Sequence, residues 1–184
     1  MVLNIKKLSA AVDAISSGAF NDCLTDSDIK EILLNNSTED FGEAYYEVDL
    51  AKHIRDFRIA SEVFRKGDLY AQVGILESLK ADEWEAIEFF NTHIEYVKDI
   101  FVLEELLGLV SSPKGVRRIA SMFNLGKFKV FDTDEPQNFL SNNGYRRNRK
   151  GDFVPDDDVI FPNTDPRGLS GGAPHKKKLQ FGDE

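Results

Sequence analysis

Apolar positions recur every three or four residues across most of the first 126 residues, a period that predicts helices. Thr25-Asp-Ser-Asp28 stands before Ile29, Ile32 and Leu33, which predicts a short capped helix ending at Asn35-Asn36. Tyr46, Leu50, Ile54, Phe57 and Phe64 fall on one helical face, so one long helix is expected from about Glu43 to Lys66, stopped by Gly67. Asp68 then caps a helix through Leu69, Val73, Leu76 and Leu79, within which Gly74 is a weak point of about 1 kcal/mol. Asp82-Glu-Trp-Glu85 is an aspartate variant of the capping box. It predicts the longest helix, to about Leu107, with Trp84, Ile87, Ile94, Val97 and Phe101 on one stripe and Phe89, Phe90, Ile100 and Leu103 widening it. A stripe that broad belongs at the centre of a bundle. Ser112 with Pro113 behind it starts a last helix, which Gly126 ends.

Beyond residue 126 the period changes. KFKVF (127–131) and DDVIF (157–161) have short strand patterns, and Thr133 to Leu140 has room for a turn or two of helix, stopped by Asn142-Asn-Gly144. Five of the six prolines follow residue 131, and residues 162–184 hold turn-formers with little to bury. The expected fold class is therefore mainly α: a small helical bundle over 1–126, a small strand and loop region over 127–161 that admits a short β-hairpin, and an extended tail over 162–184. Leu3, Leu8, Val12 and Ile15 suggest a further amphipathic helix at the start, where Asp13 interrupts the apolar core that a secretory signal needs.

Composition narrows the classes. The 184 residues are 41% hydrophobic and include 14 Phe, so ring packing should supply much of the burial energy. No apolar run approaches the ~18 residues of a membrane span. One cysteine, Cys23, has no intrachain partner, and a cytoplasmic or otherwise intracellular setting follows as the expectation. The net charge of −9 argues against phosphate-backbone binding by the whole surface and leaves room for a local basic patch.

Candidate chemistry is sparse. Of His53, His93 and His175, the first two sit on different expected helices, and the acids near them (Asp49, Asp56, Glu88, Glu95) make no His-x-x-x-His or Glu-x-x-His pair, the usual helical metal spacings. Asp156-Asp-Asp158 alternate in direction along an extended chain, so no metal or cofactor is expected there. Cys23 has no nucleophile motif around it. Gly168-Leu-Ser-Gly-Gly172 does not join a strand to a helix, as a phosphate cradle would.

Two non-enzymatic readings follow. In the favoured one the protein is an interaction or assembly component of virion, scaffold or adaptor type. It docks on a protein partner or on its own copies through its extended C-terminal tail. Basic Arg146, Arg147, Arg149 and Lys150 would set register, and Phe153, Phe161, Leu179 and Phe181 would be the apolar anchors. In the alternative, residues 115–131 are similar to a helix-turn-helix. Ile119-Ala120 would be the buried pair, Val130 the inward residue of the recognition helix, and 145–150 a basic wing of a DNA-binding regulator.

Overall fold

The computed structural model describes residues 24–156, together with Ala10 and Asp13. Ala10 and Asp13 are helical, while Leu3, Leu8, Val12 and Ile15 of the expected starting helix, Cys23, the expected strand 157–161 with its anchor Phe161, and the tail 162–184 with His175, Leu179 and Phe181 lie outside the described residues. The described chain is mainly helical and ends in a two-stranded antiparallel hairpin.

Helix α1 (Asp26–Asn35) starts as expected: the Thr25 hydroxyl accepts from Asp28 N, and the Asp28 carboxylate accepts from Thr25 N. A single turn, α2 (Thr38–Phe41), follows. The long helix expected over 43–66 is two helices, α3 (Ala44–Lys52) and α4 (Phe57–Lys66). Two aspartates impose the break. Asp26 reaches from α1 and accepts from the Arg55 and Asp56 amides, while Asp56 accepts from Arg58 N and Ile59 N as a new N-cap. The break also turns the expected face: Leu50, Ile54 and Phe64 are buried, but Phe57 is 53% exposed.

Helix α5 (Leu69–Ser78) is capped by Asp68, which accepts from Tyr70 N and Ala71 N. Gly74 is not a weak point here. A Cβ on it would lie 2.4 Å from the Val48 carbonyl and 2.6 Å from Ala51 Cβ, so the missing side chain lets α3 and α5 touch backbone to backbone.

The helix expected from Asp82 to Leu107 is also two, α6 (Glu83–His93) and α7 (Ile100–Leu109), joined through a 3₁₀ turn at Ile94–Tyr96. The buried amide of Gln72 fixes this joint. Its Nε2 donates to the Phe64 and Tyr96 carbonyls, and its Oε1 accepts from Lys98 N. Asp99 then caps α7 by accepting from Phe101 N, and Phe101 points outward, 60% exposed. Helix α8 (Pro113–Asn124) begins where expected, with the Ser112 hydroxyl accepting from Gly115 N. The Glu83 carboxylate anchors this start to α6 by accepting from the amides and hydroxyls of Ser111 and Ser112.

One core joins these helices. Phe64, Phe90, Leu103, Leu106, Ile119 and Met122 are fully buried, each a contribution of about 1.5–3 kcal/mol. Phe128, Leu140, Tyr145 and Phe153 belong to the same core, so residues 127–156 are packed on the bundle.

KFKVF is a 3₁₀ turn (Lys127–Val130) and not a strand. Gly126, at φ +73°, turns the chain sharply off α8, and buried Phe128 pins the turn. Helix α9 (Glu135–Asn142) follows. The hairpin forms between β1 (Tyr145–Arg147) and β2 (Phe153–Pro155), with Tyr145 opposite Pro155 and Arg147 opposite Phe153. The Asn148 side chain closes the loop by accepting from Lys150 N and Asp152 N.

Candidate docking groove

The end of α8 holds the hairpin. Asn124 Oδ1 accepts from Phe153 N at 2.8 Å and its Nδ2 donates to Phe153 O at 3.0 Å, imitating one more strand residue. The Phe123 and Phe153 rings meet edge to face, 5.0 Å between centroids. The Arg147 guanidinium lies 5.6 Å from the Phe123 centroid and 5.3 Å from that of Phe153, and it donates to Gln137 Oε1.

Beside this stack a half-open groove of about 170 Å³ runs between the end of α8, the 3₁₀ turn and the start of α9. Phe123, Phe128, Phe131 and Pro136 form its apolar floor, and Lys129, Thr133 and Gln137 its polar edge. Two large side chains on the same stretch face solvent, Leu125 at 70% and Val130 at 68% exposure. Residues 127–150 carry six cations against three carboxylates, the reverse of the chain's overall sign.

The residues expected to bind a partner divide. Arg147 does not line the groove but touches two residues that do, Phe123 and Gln137. Arg146 forms an ion pair with Asp156 at 3.2 Å, so part of the basic run is matched by the acidic run that follows it. Arg149 and Lys150 are exposed at the hairpin loop. Phe153 is corrected from partner anchor to core residue: the Asn124 clamp and the Phe123 ring bury it. The helix-turn-helix geometry does not form over 115–131. Ile119 and Ala120 are buried as expected, but Val130 points outward, and the next α-helix begins only at Glu135. The groove itself was missed in the sequence; the crowding of Phe123, Phe128 and Phe131 around Gly126 was its one visible signal.

Away from the groove, His93 is buried, stacked on Phe89 with Nδ1 2.8 Å from the Phe89 carbonyl, and His53 Nδ1 lies 2.6 Å from the Asp49 carbonyl. Among the described residues no group of three or more His, Cys, Asp or Glu is arranged to hold a metal ion. No described helix is long and apolar enough to cross a membrane.

One buried carboxyl pair is present. Glu47, on α3, is fully buried beside Asp68. Desolvation, then the hydrogen bond to Asp68 and its charge, push the Glu47 carboxyl up to about 8. The Thr38 hydroxyl lies 3.1 Å from Glu47 Oε2 and 3.0 Å from Asp68 Oδ2. Asp68 is lowered despite burial, because Glu47, Thr38 and two helix amides bond its charged form. Raised to about 8, the Glu47 carboxyl is mostly protonated at neutral pH, and its buried Oε1 has no hydrogen-bond partner. The pair ties α2, α3 and the cap of α5 together.

No family model, curated protein or solved structure matches this chain.

Proposed function

We propose that the protein is a non-enzymatic interaction or assembly component, of scaffold, adaptor or virion type, that docks through its C-terminal region. The observation that carries this reading is the groove: an aromatic floor open at the surface and edged by Lys129, with Arg147 stacked on its wall residue Phe123 and bonded to Gln137. At about 170 Å³ it is smaller than the ~300 Å³ at which small-molecule pockets begin, and it suits one or two apolar side chains of a linear segment. Exposed Leu125 and Val130 extend the apolar area beside it. A reducing intracellular setting suits the lone Cys23.

The test is light scattering after gel filtration, comparing the full chain with one ending at Asp156. Removing residues 157–184 takes away none of the core just described, so the helical circular dichroism should persist while association with copies or with a captured partner is lost. Unchanged association of the shortened chain refutes docking by the tail. Salt-sensitive retention on duplex DNA that vanishes with Arg149→Ala and Lys150→Ala would instead favour the DNA-binding regulator.

A further inference from the structure

We propose that Asn143-Gly144 is a self-modifying bond. Asn143 converts to aspartate and isoaspartate by a ring closure that the docked hairpin holds off, so the change marks molecules whose hairpin has come loose.

The chemistry needs only the chain and water. Asn143-Gly144 is the one Asn-Gly pair in the sequence. Glycine has no Cβ to crowd its amide, so Gly144 N is open to attack on the Asn143 side chain once the backbone allows it. Gly144 N bonds to Asn143 Cγ and gives up its proton. The Cγ–Nδ2 bond breaks, and Nδ2 leaves as ammonia with that proton. Water then opens the five-membered imide at either carbonyl. One opening leaves aspartate, and the other routes the main chain through Cγ as isoaspartate. No oxidant or reductant takes part.

The folded geometry blocks the first step in three ways. Asn143 is the C-cap of α9, at ψ 24°. Ring closure needs Cβ and Gly144 N eclipsed about the Cα–C bond, and this ψ holds them nearly opposite. The Asn143 Nδ2 donates to the Phe139 carbonyl at 2.8 Å, which draws the amide back along the helix. Gly144 N donates to Ser141 O at 3.3 Å, so the attacking nitrogen is engaged elsewhere.

Closing the ring therefore means turning ψ of Asn143 through well over a quarter turn, and both flanks of that bond are anchored. On one side, Pro136 and Leu140 bury α9 in the core. On the other, Gly144 O accepts from Asp156 N at 2.8 Å, Tyr145 is buried, and Asn124 grips the Phe153 backbone. Gly144, at φ +77°, makes the sharp turn between them. Rotation swings the helix and the hairpin apart. The hairpin is the less enclosed of the two: Tyr145 keeps 8% exposure and Phe153 4%, against 0% for Leu140. It is the part that leaves.

The product favours the loosened state. Aspartate lacks the Nδ2 donor to the Phe139 carbonyl and sets a negative charge at the negative end of α9. Isoaspartate adds a main-chain carbon between α9 and β1, which shifts the hairpin on the bundle.

The experiment incubates the full-length protein at neutral pH and follows residue 143 by peptide mapping with mass spectrometry. Conversion in the folded protein should be about 100-fold slower than in urea. Asn124→Ala, which frees Phe153, should raise the folded rate about 30-fold. Asn148→Ala, which opens the hairpin loop, should raise it about fivefold. Equal rates in folded and urea-unfolded protein overturn the proposal. So do unchanged rates in the two variants when their helical circular dichroism is native, because the last turn of α9 then frays without the hairpin. Should Asn124→Ala fail to fold, Asn148→Ala decides alone. Asn143→Asp should speed amide exchange over 145–155 about fivefold, and unchanged exchange would overturn the claim that the product favours the loosened state.

Discussion

The body of the molecule, residues 24–122, and the apron of residues 123–156 handle polar groups in opposite ways. In the body they point inward and staple elements together. Gln72 joins α4, α5 and the 3₁₀ joint, Glu83 holds the start of α8, and Glu47 and Asp68 meet at the Thr38 hydroxyl. In the apron Asn124 and Asn148 still staple backbone, but Arg147 and Lys129 stand at the surface around apolar groups: Arg147 lies over two rings, Lys129 borders the groove, and Leu125 and Val130 are exposed beside it. The body also exposes single large side chains such as Tyr45 and Phe101, but they sit on separate helices, an ordinary pattern for a protein surface. Polar groups that staple a core give rigidity. Polar groups that rim a groove give selectivity toward what enters it.

The most demanding test of the body is its buried acid. Glu47 is raised in the folded state from the ordinary 4.5 to about 8. The unfolded chain therefore releases this proton first, and Glu47's contribution to stability declines as pH rises from about 4.5 to about 8, by at most ~1.4 kcal/mol per pH unit. Asp68, held below its ordinary 3.8, acts oppositely: its contribution is complete above 3.8 and is lost on further acidification. Urea unfolding between pH 4.5 and 8 should show the decline, and Glu47→Gln should flatten it, because a neutral amide still donates to Asp68 but does not titrate. An equal slope in the variant would show that Glu47 is not the titrating group. The same substitution should leave docking at the groove unchanged.

A smaller effect tests the close backbone approach of α3 and α5. Gly74→Ala should raise intrinsic helix propensity by about 1 kcal/mol yet destabilise the protein by about 3 kcal/mol net, because the new methyl meets the Val48 carbonyl. A melting temperature at or above the parent's would mean that α3 and α5 separate easily.

These two positions also show what the sequence reveals and what it hides. Start signals were legible wherever one cap stood before one apolar run: Thr25, Asp68, Asp82 and Ser112 all cap the helices expected of them. The two expected long helices failed for one reason. Periodicity continued across 53–56 and 94–99, while Asp56 and Asp99 looked like ordinary surface acids. They become caps only because Asp26 and Gln72, distant in sequence, hold the intervening backbone. Gly74 looked like a flaw because propensity is local and the approach of α3 is not. KFKVF alternates like a strand, but Gly126 in its left-handed conformation and buried Phe128 wind it into a turn. The basic run at 146–150 was legible as a patch. The groove it borders was not, since its floor comes from α8, a 3₁₀ turn and α9 together.

Loosening the apron is expected to leave the body folded, although the two share one core. Asn124→Ala removes both hydrogen bonds to the Phe153 backbone and leaves a half-buried strand end unpaired. A loss of about 2 kcal/mol is expected. Amide exchange should speed up over 145–155 while α5, α6 and α7 stay protected. Uniform loss of protection across the body would mean that the two regions unfold as one unit.

The smallest effect on stability should have the largest consequence for docking. Arg147→Ala removes an exposed guanidinium from the Phe123 and Phe153 rings and from Gln137. Ring contacts of this kind at a surface contribute about 0.5–1 kcal/mol, so thermal unfolding should shift by only a few degrees. The groove, however, loses the residue that holds Gln137 at its edge and braces the Phe123 ring in its wall. Association measured by light scattering should weaken markedly, whereas Arg149→Ala, at the hairpin loop away from the rings, should leave it nearly unchanged. If the two substitutions weaken association equally, the apron attracts its partner through overall charge, and the ring-stacked arginine has no special place in the groove.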